Sequence, residues 1–390
     1  MKWIYVPVGI TLLALYTGLN YYIGLRGAQA FASVLGPRGL KIWWFLFWVM
    51  AYLYITMRFM QSRIPPAMGR WLIHIGAYWM AVMVYALMGI LVVELGRISL
   101  TLAGVDINQV PWTKTIAGIL VMAAVAGTII YGTWNARSPR VVHYEVNLSK
   151  NQGDKSEEKT IQTALVSDIH LGTIMGKTRL QILVDQLNQM EPDLILFGGD
   201  IIDENVNHFI DDNMDVLLRT LNPPLGKYAI LGNHEYFGGH LADIVLHLEH
   251  SDIKVLQDEG VMVEDLFFLA GREDLVSERM TGRVRKPLTE VLEGIDPAVT
   301  PVVVLDHQPK AWEEARDLGV VLQLSGHTHR GQMFPFGYVT ERLFPEDWGK
   351  LVEKDSTLIV SSGYGTWGPP VRTGNKPEIV MINLKYNETK

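Results

Sequence analysis

Eight side chains able to bind metal ions fall into five clusters in the second half of the chain: Asp168 with His170, Asp200, Asn233 with His234, His307, and His327 with His329. Each cluster follows a short apolar run. Carboxylate, amide and imidazole donors spread in this way suit a two-metal hydrolytic site, in which ions about 3.5–4 Å apart clamp the attacking and leaving oxygens of an in-line displacement at phosphorus. Oxygen donors suit Mn²⁺, Mg²⁺ or iron, and imidazole adds Zn²⁺ and Ni²⁺, so the mixed set does not name its metal. One helix cannot surround two ions, and several loops must therefore carry the donors.

The elements that would position those loops can be read from the same stretches. Residues 161–167 read as a strand delivering Asp168 and His170, and 193–197 as a buried strand running into Gly198-Gly199-Asp200. Residues 227–231 lead into Gly232-Asn233-His234-Glu235, 301–305 into Asp306-His307, and 320–324 into Ser325-Gly326-His327-Thr328-His329. Continuous apolar runs of this length, bounded by Gly or Pro, suggest strands covered on both faces. Ligands at the ends of such strands converge on one rim of a sheet. Residues 177–190, 207–221, 239–251 and 309–318 have helical patterning, with Leu180, Leu183, Val184 and Leu187 on one apolar face. Short strands at 266–270 and 379–384 complete an α+β or α/β expectation of a two-sheet β-sandwich flanked by helices.

Taken in order, Asp-x-His, Gly-Gly-Asp, Gly-Asn-His-Glu, a His after an apolar strand, and Gly-His-Thr-His resemble the calcineurin-like metallophosphoesterases. The resemblance covers roughly residues 160–385 and lacks no expected ligand. The segments 331–335 and 361–372 resemble more narrowly the bacterial YkuE-type branch. Carried over position by position, the resemblance implies Asp168, His170 and His329 on a first metal, Asn233, His307 and His327 on a second, and Asp200 bridging both. It further implies that His234 is the general acid and that Asp203 orients it. An imidazole suits that task because its pKa lies near neutrality.

The other histidines carry less. His74, His143 and His208 read as ordinary core or surface residues, and His240, His247 and His250 as solvated positions on one helix, with His240 near enough to the Gly-Asn-His-Glu block to line a cleft. Glu235 either tunes the site or caps the following helix.

The first third of the chain is different material. Residues 3–25, 42–57, 71–95 and 115–134 are apolar stretches, three of them long enough for a transmembrane helix of about 20 residues and the second reaching that length if extended to 40–60. Trp43, Trp44, Trp48, Tyr52, Trp71 and Trp134 lie near segment ends, as an aromatic belt would. Four transmembrane helices are expected over residues 1–140, followed by a linker at 141–160 and a catalytic domain at 161–390. A cleavable signal is disfavoured, because the first apolar run exceeds the usual 7–15 residues and Arg26 precedes the small residues. Glu94, an acidic residue within an apolar stretch, reads as an interfacial partner of Arg97, and Gly89 and Gly96 read as helix-packing positions.

Charge divides at the same boundary. Residues 1–140 hold eleven Lys and Arg against Glu94 and Asp106, a balance of +9, so the whole-chain value of −7 leaves −16 for residues 141–390. An acidic domain repels phosphate backbones, and a nucleic-acid partner is not expected. Four spans place both termini on one side of the membrane. Six basic residues flank segments on that side against five on the other, a slight lean to the cytoplasmic face.

The expectation is a multi-pass cell-membrane protein carrying a metal-dependent phosphoric ester hydrolase, with two divalent ions drawn from Mn, Fe, Zn, Ni and Mg. Its partners would be the lipid bilayer and a phosphomonoester, phosphodiester or pyrophosphate substrate. Anchoring beside a bilayer, and the apolar aromatic loop at 333–338 with Leu343, Phe344, Pro345 and Trp348, make a lipid-linked substrate a candidate. The rival is a membrane sensor or scaffold whose phosphoesterase fold binds ligand with little catalysis. A complete ligand set argues against it.

Overall fold

The computed structural model describes residues 5–60, 63–105, 112–148, 158–203 and 206–387. By its contacts the chain divides into a helical unit, residues 1–134 with 368–371, and a mixed unit of residues 135–367 and 372–390.

The helical unit is built from α1 (Tyr5–Met60), α2 (Pro66–Leu102) and α3 (Thr113–Ala136). All three are long and apolar enough to cross a membrane. The four apolar segments read from the sequence thus fall on three helices, with two of them on α1. At 56 residues α1 is more than twice the length a bilayer needs. It breaks at Gly36, whose φ of 63° and ψ of −179° are open to glycine and costly to other residues, and Pro37 starts the second arm. The arms fold back antiparallel. Thr17 Oγ1 meets Tyr52 Oη at 2.6 Å, Trp43 Nε1 donates to Gly24 O at 3.0 Å, and the Tyr16 hydroxyl donates to Ala51 O. Helix persists beyond the first apolar segment to residue 35, so the reversal between the two arms is one residue wide.

Four of the six aromatics read as a membrane belt pack between helices. Trp43 reaches Gly24 O, Trp44 stacks on Tyr21 at 5.6 Å, Tyr52 meets Tyr16 edge-on at 6.0 Å, and Trp48 packs against the cluster of Ile23, Phe47, Ala51 and Ala86. Their spacing along the arm puts them on one stripe, where each is partly buried. Trp71 and Trp134 remain exposed. Glu94 pairs with Arg97 at 2.9 Å, as expected, and also with Arg26 across the bundle. Gly89 does admit close packing against Val121, whereas among the described residues nothing lies within 4 Å of a Cβ placed at Gly96.

The mixed unit contains twelve strands: β1 (Arg140–Asn147), β2 (Glu158–Val166), β3 (Leu194–Gly198), β4 (Lys227–Ile230), β5 (Ile253–Val255), β6 (Glu259–Val263), β7 (Phe267–Gly271), β8 (Val302–Leu305), β9 (Leu322–Ser325), β10 (Gly349–Glu353), β11 (Ser356–Val360) and β12 (Glu378–Asn387). Among the described residues they form two six-stranded sheets, ordered β1-β12-β2-β3-β4-β5 and β10-β11-β9-β8-β7-β6. Leu165, Leu196 and Ile230 of the first sheet and Leu269, Leu305 and Leu324 of the second close one apolar layer between them.

The helices, α4 (Lys177–Met190), α5 (Asn207–Asp211), α6 (Met214–Arg219), α7 (Asn233–Phe237), α8 (Leu241–His250), α9 (Ser277–Thr281), α10 (Leu288–Val291), α11 (Trp312–Asp317) and α12 (Gly337–Leu343), lie along the chain between the strands. Leu180, Leu183, Val184 and Leu187 of α4 are buried against the first sheet, as their spacing indicates. Trp312 of α11 and Leu288 of α10 cover the second. The single helix expected over 207–221 is two, since Asn213 takes a left-handed φ of 50° between them.

The expected linker needs a correction. Residues 140–147 form β1, which pairs in parallel with β12 from Arg140↔Glu378 to Asn147↔Lys385, and residues 158–160 belong to β2. Within 141–160, only residues 149–157 lie outside the described residues. The polar composition concealed the strand because it alternates, burying Val146 and exposing Val141, His143 and Glu145. Leu148 follows, fully buried. Burying Val146 and Leu148 stabilises by about 3–6 kcal/mol, so a fragment beginning at residue 158 should melt roughly 10 °C below one beginning at 135. Equal melting temperatures would show that β1 contributes nothing to this unit.

Candidate metal centre

Strands β2, β3 and β4 run parallel in one sheet, and β7, β8, β9 and β11 run parallel in the other. Their carboxyl ends carry every donor singled out from the sequence. Asp168 and His170 follow β2, Asp200 follows β3, Asn233 follows β4, His307 follows β8, and His327 and His329 follow β9. This is the edge at which parallel sheets place their ligand-binding loops.

The donors meet. His170 Nε2 lies 2.9 Å from His329 Nε2, which is 3.4 Å from Asp168 Oδ1. His307 Nε2 lies 3.2 Å from Asp200 Oδ2, and His327 Nδ1 lies 2.8 Å from Asn233 Oδ1. Asp200 Oδ2 is also 4.0 Å from His170 Nε2, so this carboxylate stands between the two groups. Asp168, His170 and His329 are close enough to share one ion, and so are Asp200, His307 and His327.

These separations pass a test of fit. Donors held about 2.0–2.2 Å from one ion lie roughly 2.9–3.5 Å from each other, a range that holds the His170–His329, His329–Asp168 and His307–Asp200 separations. His307 makes the demand sharper. Its Nδ1 donates to Gly198 O at 2.8 Å, so its buried Nε2 presents a lone pair to a carboxylate oxygen and has no hydrogen-bond partner. Two lone pairs facing each other at 3.2 Å need a cation or a proton between them.

The protonation pattern follows from the same crowding. Burial, and then neighbouring imidazoles, lower His170 to about 4 and His327 to about 3, and hold His329 well below its ordinary value. These rings stay neutral and keep the lone pairs a metal requires. For His307 burial also lowers the pKa, but the Asp200 charge outweighs it and raises the group well above the usual histidine range. Burial pushes Asp168 up to about 6.

Backbone conformation is unusual throughout this edge. Asp168, His170, Asp200, His327 and His329 all have φ between 46° and 71°, a region that costs non-glycine residues energy and persists only where the surroundings enforce it. The enforcing contacts are specific. Asp168 N–H donates to Gly199 O and His170 N–H to Asp200 O, while Gly365 N–H donates to Asp168 O. Glu235 is the main strut: its buried carboxylate accepts from the amides of Gly232 at 2.7 Å, Ile202 at 2.8 Å and Asp200 at 3.1 Å. It both caps α7 and ties the Asp200 loop to the Asn233 loop, which joins the two roles left open from sequence. Gly232 is required at this junction, because a Cβ there would collide with the Asp200 carboxylate.

His234 and Asp203 lie at the mouth. His234 Nδ1 is 3.0 Å from Asp203 Oδ1, its amide donates to Asp200 Oδ1 at 2.9 Å, and its ring stands edge-on to His170 at 4.5 Å. Burial lowers its pKa, but the Asp203 hydrogen bond and the Asp200 charge outweigh that and lift it to about 9. His240 pairs only with exposed Asp243, and His247 with Asp215, both apart from the donor groups.

Two supports were not recognisable as such in the sequence. Arg372 is fully buried, donates to Gly365 O at 2.6 Å and Gly363 O at 3.2 Å, and places Nη2 3.1 Å from His329 Nδ1. On the other flank the loop after β7 brings Asp274, whose two oxygens both accept from Gln308 Nε2 at 3.0 Å, next to His307. Arg372 closes a block whose motif was visible but whose contacts are not local. Asp274 carries no sequence signal, and only the pairing of β7 with β8 brings it here.

Comparison with known proteins agrees with this geometry. Residues 161–331 match the family model described as calcineurin-like phosphoesterase. A metallophosphoesterase of Aquifex aeolicus is 37% identical over 248 residues, 63% of this chain and 92% of that protein. The YkuE metallophosphoesterase of Bacillus subtilis is 30% identical over 260 residues, 59% of this chain and 85% of that protein. A Danio rerio protein named as a transmembrane protein with metallophosphoesterase domain is 31% identical over 289 residues, and the match spans 63% of its length. The chain belongs to the calcineurin-like metallophosphoesterase family.

Proposed function

We propose that this calcineurin-like metallophosphoesterase is a membrane-anchored, two-metal enzyme that hydrolyses a phosphomonoester, phosphodiester or pyrophosphate bond. The observation that carries the reading is the meeting of two donor groups at Asp200. In it Asp168, His170 and His329 hold one ion, Asn233, His307 and His327 hold the other, and Asp200 serves both. Divalent ions bound there supply Lewis acidity, neutralising charge on the phosphoryl group and lowering the pKa of water.

The chain's own residues supply position and a proton. Asp203 accepts from His234 Nδ1–H and so fixes the ring's tautomer and orientation, leaving Nε2 to give a proton to the departing oxygen. At about 9 the group is protonated at neutral pH. With positive charge held at the neighbouring donors, the His234 value would fall toward the working pH, where a general acid is most effective. Side-chain exposures of 15% for His234 and 28% for Asp203 leave the pair open to a substrate.

The apolar arms of α1 with α2 and α3 would cross the bilayer four times and hold the enzyme at its surface. A lipid-linked phosphoester fits the rim of the centre. Phe344 lies 5.8 Å from His327, and α12 next to it buries none of its residues, leaving Tyr338, Val339 and Leu343 more than half exposed. Such exposed apolar surface marks a site that meets another apolar surface.

Replacing His234 by Ala should leave bound metal and folding intact and lower turnover by roughly 10²–10⁴, least for esters whose leaving group is already a stable anion. The same loss for phenols of widely different acidity would remove the general-acid role. For the rim, Tyr338→Ser with Leu343→Ser should slow hydrolysis of a long-chain alkyl phosphoester in vesicles at least severalfold while leaving a water-soluble aryl ester unaffected. Equal effects on both substrates would refute the lipid-linked reading and spare the phosphoesterase one.

A further inference from the structure

Within the helical unit lies a cavity of about 1520 Å³, larger than the roughly 300–1,000 Å³ of ordinary small-molecule sites. Its lining changes character along its length. Much of the wall is apolar, with Ile23, Phe47, Trp79, Ala86, Val121 and Val125. Arg26, Gln29, Glu94, Arg97 and Lys114 line the other part. Those polar residues come from the end of the first arm of α1, the last turns of α2 and the start of α3, so they gather at the end of the bundle where Gly36 turns the chain.

The charge there is unbalanced. Glu94 binds both Arg97, at 2.9 Å, and Arg26, and one carboxylate neutralises one of the two guanidinium groups. Lys114 adds another positive charge, so the described lining residues carry two net positive charges at the mouth of an apolar chamber. Arg26 and Arg97 keep 31% and 44% of their side chains exposed, and Lys114 is exposed, so an anion can reach all three. Basic pockets between transmembrane helices are suited to anionic lipid headgroups. Inorganic phosphate would satisfy the mouth and leave the chamber unfilled, and a zwitterionic lipid would fill the chamber without supplying the missing charge.

We propose that this cavity binds one anionic phospholipid of the surrounding bilayer, with its phosphate at Arg26, Arg97 and Lys114 and its chains against Phe47, Trp79, Val121 and Val125. All of these residues lie on α1–α3, and the proposal does not depend on the phosphoesterase reading.

The full chain in detergent, titrated separately with phosphatidylglycerol, phosphatidylcholine and inorganic phosphate and examined by native mass spectrometry, tests it. Phosphatidylglycerol should bind at one per chain, and phosphatidylcholine should bind at least fivefold more weakly, about the factor expected for one cation near an anionic headgroup. Arg97→Gln leaves the Arg26–Glu94 pair in place and should weaken phosphatidylglycerol by roughly fivefold. Ala126→Phe fills the chamber from α3, where Ala126 lines it, and should abolish retention with the charges untouched. A thermal unfolding curve for each variant separates lost binding from lost folding. Equal affinity for the two lipids, competition by phosphate alone, or unchanged binding in either folded variant would overturn the assignment.

Discussion

Lone pairs on nitrogen and oxygen cannot be packed against each other in a protein interior unless something positive lies among them, and the mixed unit is arranged around a place where this packing is forced. His307 Nε2 faces Asp200 Oδ2, and His170 Nε2 faces His329 Nε2 beside Asp168. Burial and neighbouring imidazoles keep His170 and His329 neutral, while the Asp200 charge favours a proton on His307. Between His170 and His329 the demand for positive charge falls on what binds there, and at His307 a divalent ion can take the place of the proton, which is why this set of contacts reads as a centre for divalent ions.

The scaffold has to hold that arrangement against its own cost. Donors at the carboxyl ends of parallel strands in two separate sheets come within about 3 Å of each other, and the loops after β2, β3 and β9 reach that position through left-handed residues. The apolar layer shared by the sheets keeps the strands in place. Glu235 then locks the Asp200 and Asn233 loops through three backbone amides, and Arg372 closes the far side beneath His329. The strain is concentrated where the chemistry would be, and rigid elements surround it.

Much of this could be read from the chain, because the donors sit directly after short apolar runs whose local pattern announces a buried strand. β2, β3, β4, β8 and β9 were visible in that way, and so was the buried face of α4. What could not be read depends on contacts distant in sequence. β1 pairs with β12 across more than 230 residues and resembles a polar linker by composition. Asp274 reaches the centre only through the neighbour of its strand, and the tryptophans of α1 turn inward because a second arm and α2 lie beside them. Gly36 shows the limit from the other direction: helix continues past the first apolar segment up to one glycine.

The family and the fold leave substrate and metal identity to chemistry, and the account stands on Asp200 serving two ions at once. Electron paramagnetic resonance of the Mn²⁺-loaded protein tests that most directly, since ions sharing one carboxylate about 3.5–4 Å apart are magnetically coupled. Two Mn²⁺ per chain with a coupled spectrum that disappears in Asp200→Asn is the expected result. Two uncoupled Mn²⁺ signals, or a single ion at saturation, would contradict a centre organised around Asp200.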